Sequence, residues 1–291
     1  MFIATLIAAG RLAGGDVSAA RDALADAGCA PGEASWIDRG DAADIGFAND
    51  PAVGRAALEG RGYDIVVQAA ALRVKRLLVA DMDSTMITVE CIDELADYAG
   101  IKAEIAAVTE AAMRGELDFI AALDARVALL KGLSADAIDR CRAERVRATP
   151  GARTLVGTMR AAGARTILVS GGFTAFAEPV AAEIGFETVI ANRLGIAGGA
   201  LDGTVARPIV DAATKRATLE RERAAAGLSA AETLAVGDGA NDIPMIQEAG
   251  LGVAYHAKPR TAAAAAARID HGDLTALLWA QGLARAQWAA G

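Results

Sequence analysis

A chain of 291 residues is long enough for one large domain or two to three smaller ones, and for a sizeable buried core. Hydrophobic residues make up 54 % of it but aromatics only 4 %, so much of the apolar content is alanine, which builds helices more than it fills cores. The net charge of -8 and a sequence pI of about 4.9 argue against a broad nucleic-acid surface but leave room for a local positive pocket that holds one small anion.

Met1–Gly10 is apolar, lacks a positive leader and meets Arg11 early, so it reads as a strand, Phe2–Ala8, rather than a secretion signal. A helix over Val17–Ala27 follows, ended by Gly28. Strands are expected at Ala34–Asp38 and Ile45–Ala48, a helix at Pro51–Leu58 with proline in its first turn, and a strand at Tyr63–Gln68. That βαββαβ order predicts a ferredoxin-like α+β unit over residues 1–74. It contains no cluster of titratable residues that looks catalytic.

From residue 75 the pattern changes. Arg76–Ala80, Thr166–Val169 and Thr233–Val236 are short apolar runs, each followed at once by polar or glycine residues. Continuous apolar strands suit a parallel sheet buried on both faces, with Ala152–Ala162 and Thr214–Ala226 as crossover helices. The predicted class is α/β, a Rossmann-like parallel sheet core over 75–291. Apolar residues at Ile120, Leu123, Val127 and Leu130 have helical spacing, and a helical cap inserted at about 90–148 is expected. Gly195–Val205 reads as a hairpin, Ala262–Ala267 as helix-compatible low complexity, and Leu274–Ala280 as a terminal helix.

In such sheets ligands bind at the carboxyl ends of the strands. Asp81 and Asp83 follow the first core strand, Ser170 and Gly171 the second, and Asp238, Asn241 and Asp242 the third. Carboxylates gathered in a cleft repel one another, and a hard divalent cation with oxygen ligands resolves the conflict. Lys215 is the evident cationic partner. The set suits phosphoryl transfer, with Asp81 as nucleophile and Asp83 as general acid and base. Ser170, the Gly171 amide and Lys215 would hold phosphate oxygens.

The runs DMDSTMITVECIDELA, AMRGELDF, SGGFTAFAEP, VGDGANDIPMI and YHAKP resemble the phosphoserine phosphatases of the haloacid dehalogenase superfamily, over about residues 75–275. The N-terminal unit is similar in outline to an ACT-like domain. The resemblance implies magnesium held by Asp81, the Asp83 backbone carbonyl and Asp238, with Asp242 supporting the metal shell. It implies Asn241 as a substrate-side contact, Glu90 and Arg126 as holders of the substrate ammonium and carboxylate, and Met113 and Phe119 as apolar residues that close the pocket. A zwitterion does need one anion and one cation held apart, which Glu90 and Arg126 can provide. Asp124, two residues before Arg126, points to another helix face and should not compete for it.

The implied reaction is hydrolysis of O-phospho-L-serine to L-serine and phosphate, the last step of serine biosynthesis. Three other readings stay open: transfer to an acceptor such as homoserine, hydrolysis of another small phosphate ester, or amino-acid sensing through residues 1–74 with a vestigial core. Scattered Cys29, Cys91 and Cys141 argue against disulfides, and no run approaches the ~20 apolar residues of a membrane span. A cytoplasmic enzyme is expected, with no nucleic-acid or membrane partner and with the N-terminal unit as the place for any homodimer contact. His256 is expected to be structural.

Overall fold

The computed structural model describes residues 1–113 and 116–290, the Met113 side chain aside. The N-terminal unit runs β1 (Phe2–Ile7), α1 (Gly14–Asp26), β2 (Pro31–Asp38), β3 (Ala42–Phe47), α2 (Pro51–Ala57) and β4 (Asp64–Ala69). Its strands lie in the order β2-β3-β1-β4, all antiparallel, which is the expected ferredoxin-like arrangement. Asp50 caps α2 by accepting the Ala52 N–H, with Pro51 in the first turn.

The core begins with β5 (Leu77–Ala80). Four cap helices follow, α3 (Cys91–Tyr98), α4 (Lys102–Met113), α5 (Phe119–Leu129) and α6 (Asp136–Arg145). The chain returns through α7 (Ala152–Ala161), β6 (Arg165–Phe173), α8 (Thr174–Ile184) and β7 (Thr188–Asn192). The hairpin β8 (Leu194–Ala197) and β9 (Ala200–Val205) turns at Gly198-Gly199, both at positive φ. Then come α9 (Ala212–Ala225), β10 (Thr233–Gly237), α10 (Ile243–Glu248), β11 (Leu251–Tyr255), α11 (Pro259–Ala264), β12 (Ala267–Ile269) and α12 (Ala276–Ala280). The core strands are parallel, in the order β12-β11-β10-β5-β6-β7.

Three strands, β7, β11 and β12, lie outside the sequence-based expectation. The alanine run expected to be helical is divided: α11 ends at Ala264 and β12 starts at Ala267. Alanine favours helix over strand, so pairing with β11 and β4 overrides the local preference at Ala267.

The N-terminal unit and the core share one sheet. β4 pairs antiparallel with β12 at Ile65↔Arg268, giving ten continuous strands. Asp64 seals this junction: its carboxylate accepts the N–H groups of Asp270 (2.7 Å), His271 (3.0 Å) and Gly272 (2.7 Å). β1 is buried on both faces. Ala4 and Leu6 pack with Val17 and Leu24 of α1, while Ile7 joins the large core that contains Trp279 of α12. Arg73, in the connection between the units, donates to Asp44, Thr5 and the Trp279 and Ala280 carbonyls.

Candidate active site

The carboxyl ends of β5, β6 and β10 meet under the helical cap, as parallel pairing in register requires. Between them and α4–α5 lies a cleft of about 1030 Å³. Asp81, Asp83, Glu90, Phe119, Arg126, Gly171, Asp238 and Asn241 all line it. Ser170 and Lys215 are fully buried beside it. The remaining expected pocket residue, Met113, ends α4, and its side chain lies outside the described residues.

Asp81 continues the line of β5, its N–H donating to the Val236 carbonyl at 3.0 Å. Lys215 Nζ, on α9, donates to Asp81 Oδ1 at 2.5 Å and to Asp242 Oδ1 at 2.7 Å. Asp242 Oδ2 accepts the Gly239 N–H at 3.0 Å, so both of its oxygens are engaged. A Cβ on Gly237 would sit 2.3 Å from Asp242 Cγ, which is why this strand end needs glycine. Carboxylate oxygens of Asp81, Asp238 and Asp242 lie within 4.8 Å of one another.

Burial pushes the Asp81 carboxyl well above the usual range, with Asp242 adding to it against the pull of Lys215. Burial and Asp242 likewise push Asp238 up to about 6. Burial would lower Lys215, but Asp242 and Asp81 outweigh it and raise it, so the lysine is charged. One lysine does not balance three buried carboxylates. An all-oxygen donor set with uncompensated negative charge fits a hard divalent cation.

Asp83 has a different environment. Its Oδ1 accepts the Cys91 N–H at 3.0 Å at the start of α3, and burial followed by the Glu90 charge pushes it up to about 7. A carboxyl poised there can both give and take a proton near neutral pH. Glu90 is held by Ser84, whose Oγ donates to Oε1 at 2.8 Å; Ser84 itself sits at φ +53°. Burial lowers Arg126, while Asp93 and Glu90 pull it back up. Its Nε donates to the Ala122 carbonyl at 3.2 Å. Asp124 pairs with Arg207 instead, as its face of α5 dictates.

The end of β6, which runs on to Phe173 with a shift in register after Ser170 rather than stopping at Val169, is crowded. Ser170 Oγ accepts the Gly172 N–H at 2.8 Å, and a Cβ on Gly171 would lie 3.3 Å from Phe119 Cζ. Three further residues at or beside the cleft lay outside the sequence-based set. Asn192 donates to the Gly171 carbonyl at 2.8 Å and accepts the Val210 N–H at 2.8 Å, tying the turn to the loop before α9. Lys258 and Arg260 line the cleft from α11 and the residue before it. Lys258 stood in the YHAKP run, whereas Asn192 had no local signal. His256 bonds the Gly272 carbonyl at 2.9 Å through Nε2 and does not line the cleft.

The model of the haloacid dehalogenase-like hydrolases matches residues 78–247, more than half of the chain. A phosphoserine phosphatase from Streptomyces coelicolor is 48 % identical over 226 residues, covering 77 % of this chain and 55 % of that one. The chain thus spans about half the length of that relative. A HAD-family hydrolase from Salmonella enterica serovar Typhi superposes with a TM-score of 0.84 at 26 % identity, over 96 % of this chain and 98 % of that one. A phosphoserine phosphatase solved as a phospho-aspartyl intermediate analogue gives a TM-score of 0.65 at 35 % identity, over 71 % and 98 %.

Proposed function

The chain belongs to the haloacid dehalogenase-like hydrolase family, and on that premise we propose that it hydrolyses O-phospho-L-serine to L-serine and phosphate. The observation that carries the substrate is the pair Glu90 and Arg126, opposite charges lining the same cleft as Asp81 and Asp83. A sugar phosphate offers no ammonium for Glu90 and no carboxylate for Arg126. The names of the relatives point the same way.

Asp81 attacks phosphorus as the bond to the serine oxygen breaks, and Asp83, protonated, gives its proton to that leaving oxygen. The product is an aspartyl phosphate on Asp81 and free L-serine. Asp83, now a carboxylate, takes a proton from the water that attacks the aspartyl phosphate, which releases phosphate and restores Asp81. The Ser170 hydroxyl, the Gly171 amide and Lys215 hold the phosphate oxygens through both transfers. Lys215 also orients Asp81 by holding one of its oxygens. Asn241 and Phe119 both line the cleft, which supports the one as a substrate-side contact and the other as an apolar residue that closes the pocket. Asp81, Asp238 and the Asp83 carbonyl would hold magnesium, which when bound screens the negative nucleophile from the negative phosphate. Asp242, with both oxygens engaged, supports that shell rather than joining it.

The reaction would complete serine biosynthesis, and a cytoplasmic enzyme fits it. No described helix is long and apolar enough to cross a membrane. The test is phosphate release with magnesium from O-phospho-L-serine, O-phospho-L-threonine and a sugar phosphate, for wild type and Asp81→Asn. Preference for phosphoserine, lost in the variant, is expected. Equal turnover of the sugar phosphate would remove the Glu90–Arg126 argument, and undiminished activity of the variant would remove the nucleophile. Added homoserine that is phosphorylated during turnover would instead favour phosphotransfer.

A further inference from the structure

The substrate and its binding site have the same sign of charge. The protein carries a net charge of -8, and Asp81, Asp83, Glu90, Asp211 and Asp238 all line the cleft. A phosphomonoester approaches as a dianion. Diffusing up to this mouth is unfavourable unless some positive charge faces outward along the way.

Among the described residues, two supply it. Lys258 precedes α11 and Arg260 is its second residue; both are exposed, and both line the cleft. Among the described residues neither side chain makes a hydrogen bond or an ion pair. Other surface cations of the core behave differently. Arg216 and Arg223 pair with Glu248, and Arg207 pairs with Asp124. Arg126 is half-buried in the cap and faces Glu90 and Asp93. Lys215 is fully buried between Asp81 and Asp242. Among the described residues, the outward-facing cations of the cleft free of hydrogen bonds and ion pairs are therefore Lys258 and Arg260; Lys258 also acts at a distance on Asp238, opposing the rise of its carboxyl. The Lys258 backbone N–H donates to the Asp238 carbonyl at 3.2 Å, which anchors this rim to the strand end that carries the acid cluster.

We propose that Lys258 and Arg260 form an electrostatic entry rim that captures the dianionic phosphate group and delivers it to Ser170, Gly171 and Lys215. The proposal rests on the phosphatase reading for its substrate, but it concerns capture rather than the chemical step. The rim residues touch the anion on its way in and are not needed once Asp81 attacks. They should thus act on kcat/KM and on anion affinity, and leave kcat alone.

The experiment compares the magnesium-loaded wild type with Lys258→Gln/Arg260→Gln. Backbone contacts of Lys258 survive the change, and an unaltered Tm checks the fold. For wild type, kcat/KM on phosphoserine should fall about tenfold as salt rises from low to a few hundred millimolar, because screening shortens the reach of the rim. The variant should start about tenfold lower at low salt, show a flattened salt dependence and keep kcat within twofold. Inorganic phosphate, measured by direct binding, should weaken in parallel. L-Serine, which carries no net charge, should inhibit both proteins equally. An unchanged salt dependence would overturn the rim, as would a loss confined to kcat. A raised magnesium requirement with the salt dependence intact would mean that the two cations merely balance the acid cluster, and would also overturn it. If wild type fails to turn over phosphoserine, the substrate reading fails, and the phosphate-binding arm still decides the rim.

Discussion

Lys215 Nζ lies 2.5 Å from Asp81 Oδ1, and neither side chain is more than 7 % exposed. A buried pair of this kind is costly to break from one side, because the partner left behind is an uncompensated charge. Here the partner left behind is the nucleophile, with Asp242 next to it. Lys215→Met should lower kcat by about 10²–10³, the cost of removing one charge-stabilising donor from an acyl- or phosphoryl-transfer site. It should also destabilise the fold by about 3–5 kcal/mol. Steady-state kinetics and urea unfolding check the two effects. Near-normal kcat would show that Lys215 serves packing alone.

Asp83 is pushed up to about 7 by burial and by Glu90, so its role has a pH signature. As the acid of the first transfer it must carry its proton. Activity should therefore decline on the alkaline side of about 7 and vanish in Asp83→Asn. The stability effect has the opposite sense for the variant. A carboxyl raised in the folded state is neutral in both states at low pH, and it costs stability as pH rises from the ordinary carboxylate range towards 7. In chelated protein, Asp83→Asn should thus gain stability over that window and keep a constant advantage above it, about 1–2 kcal/mol once partial exposure is allowed for. Thermal unfolding of wild type and variant against pH checks it.

Asn192 acts on the phosphate turn from behind. Asn192→Asp keeps an acceptor for the Val210 N–H but loses the donor to the Gly171 carbonyl and sets two acceptors face to face. Phosphate affinity should weaken about tenfold, the loss of one buried hydrogen bond of about 1–1.5 kcal/mol. The KM should rise more than kcat falls. An effect on Tm with no change in phosphate binding would leave Asn192 a purely structural residue.

Gly172 is a steric requirement of the same turn. A Cβ there would stand 2.8 Å from Asp83 Oδ2, 3.0 Å from Ser170 Oγ and 3.1 Å from Met82 Cε. Gly172→Ala should fold, because the obstructing atoms are side-chain ends, but it must displace the general acid. A fall in kcat of at least tenfold is expected. Unaltered turnover would show that Asp83 has slack to move.

The two units should unfold together. Arg73 bonds Asp44 at 2.7 Å while also holding the last carbonyls of α12, and Trp279 Nε1 donates to Asp38 at 2.7 Å. Arg73→Ala should cost about 2–3 kcal/mol, since it removes the cation paired with the buried Asp44 carboxylate, which keeps only the Thr5 hydroxyl. Removal of residues 1–74 should lower the Tm of the remainder sharply by baring Trp279 and the edge of β12. A truncated protein as stable as the full chain would show that the shared sheet contributes little.

Much of the catalytic set was legible because it is local. Asp81 and Asp83, Ser170 and Gly171, and Asp238 to Asp242 each follow directly on an apolar run, and a parallel sheet converges such ends wherever the helices between them lead. Lys215 stood out as the cation to set against the acid cluster, whereas Glu90 and Arg126 needed the family resemblance, since a charged residue on a helix is ordinarily solvated. Asn192 was illegible: its partners lie 21 and 18 residues away, and nothing in the residues beside it marks them. Ser84 at positive φ was hidden inside a motif read for its aspartates.

The sequence by itself determined the alternation of elements, the ferredoxin-like order of the first unit, the inserted cap and the acid cluster, because each rests on periodicity or on residues adjacent in the chain. Only the tertiary structure decided that the two units share one sheet. The three-residue β12 has no periodicity of its own and becomes a strand because β11 and β4 offer it backbone partners on either side. The same holds for charge. The chain shows which residues are cationic, but only packing leaves Lys258 and Arg260 at the mouth while Lys215 is buried beside the nucleophile, since pairing depends on distances that sequence spacing does not set.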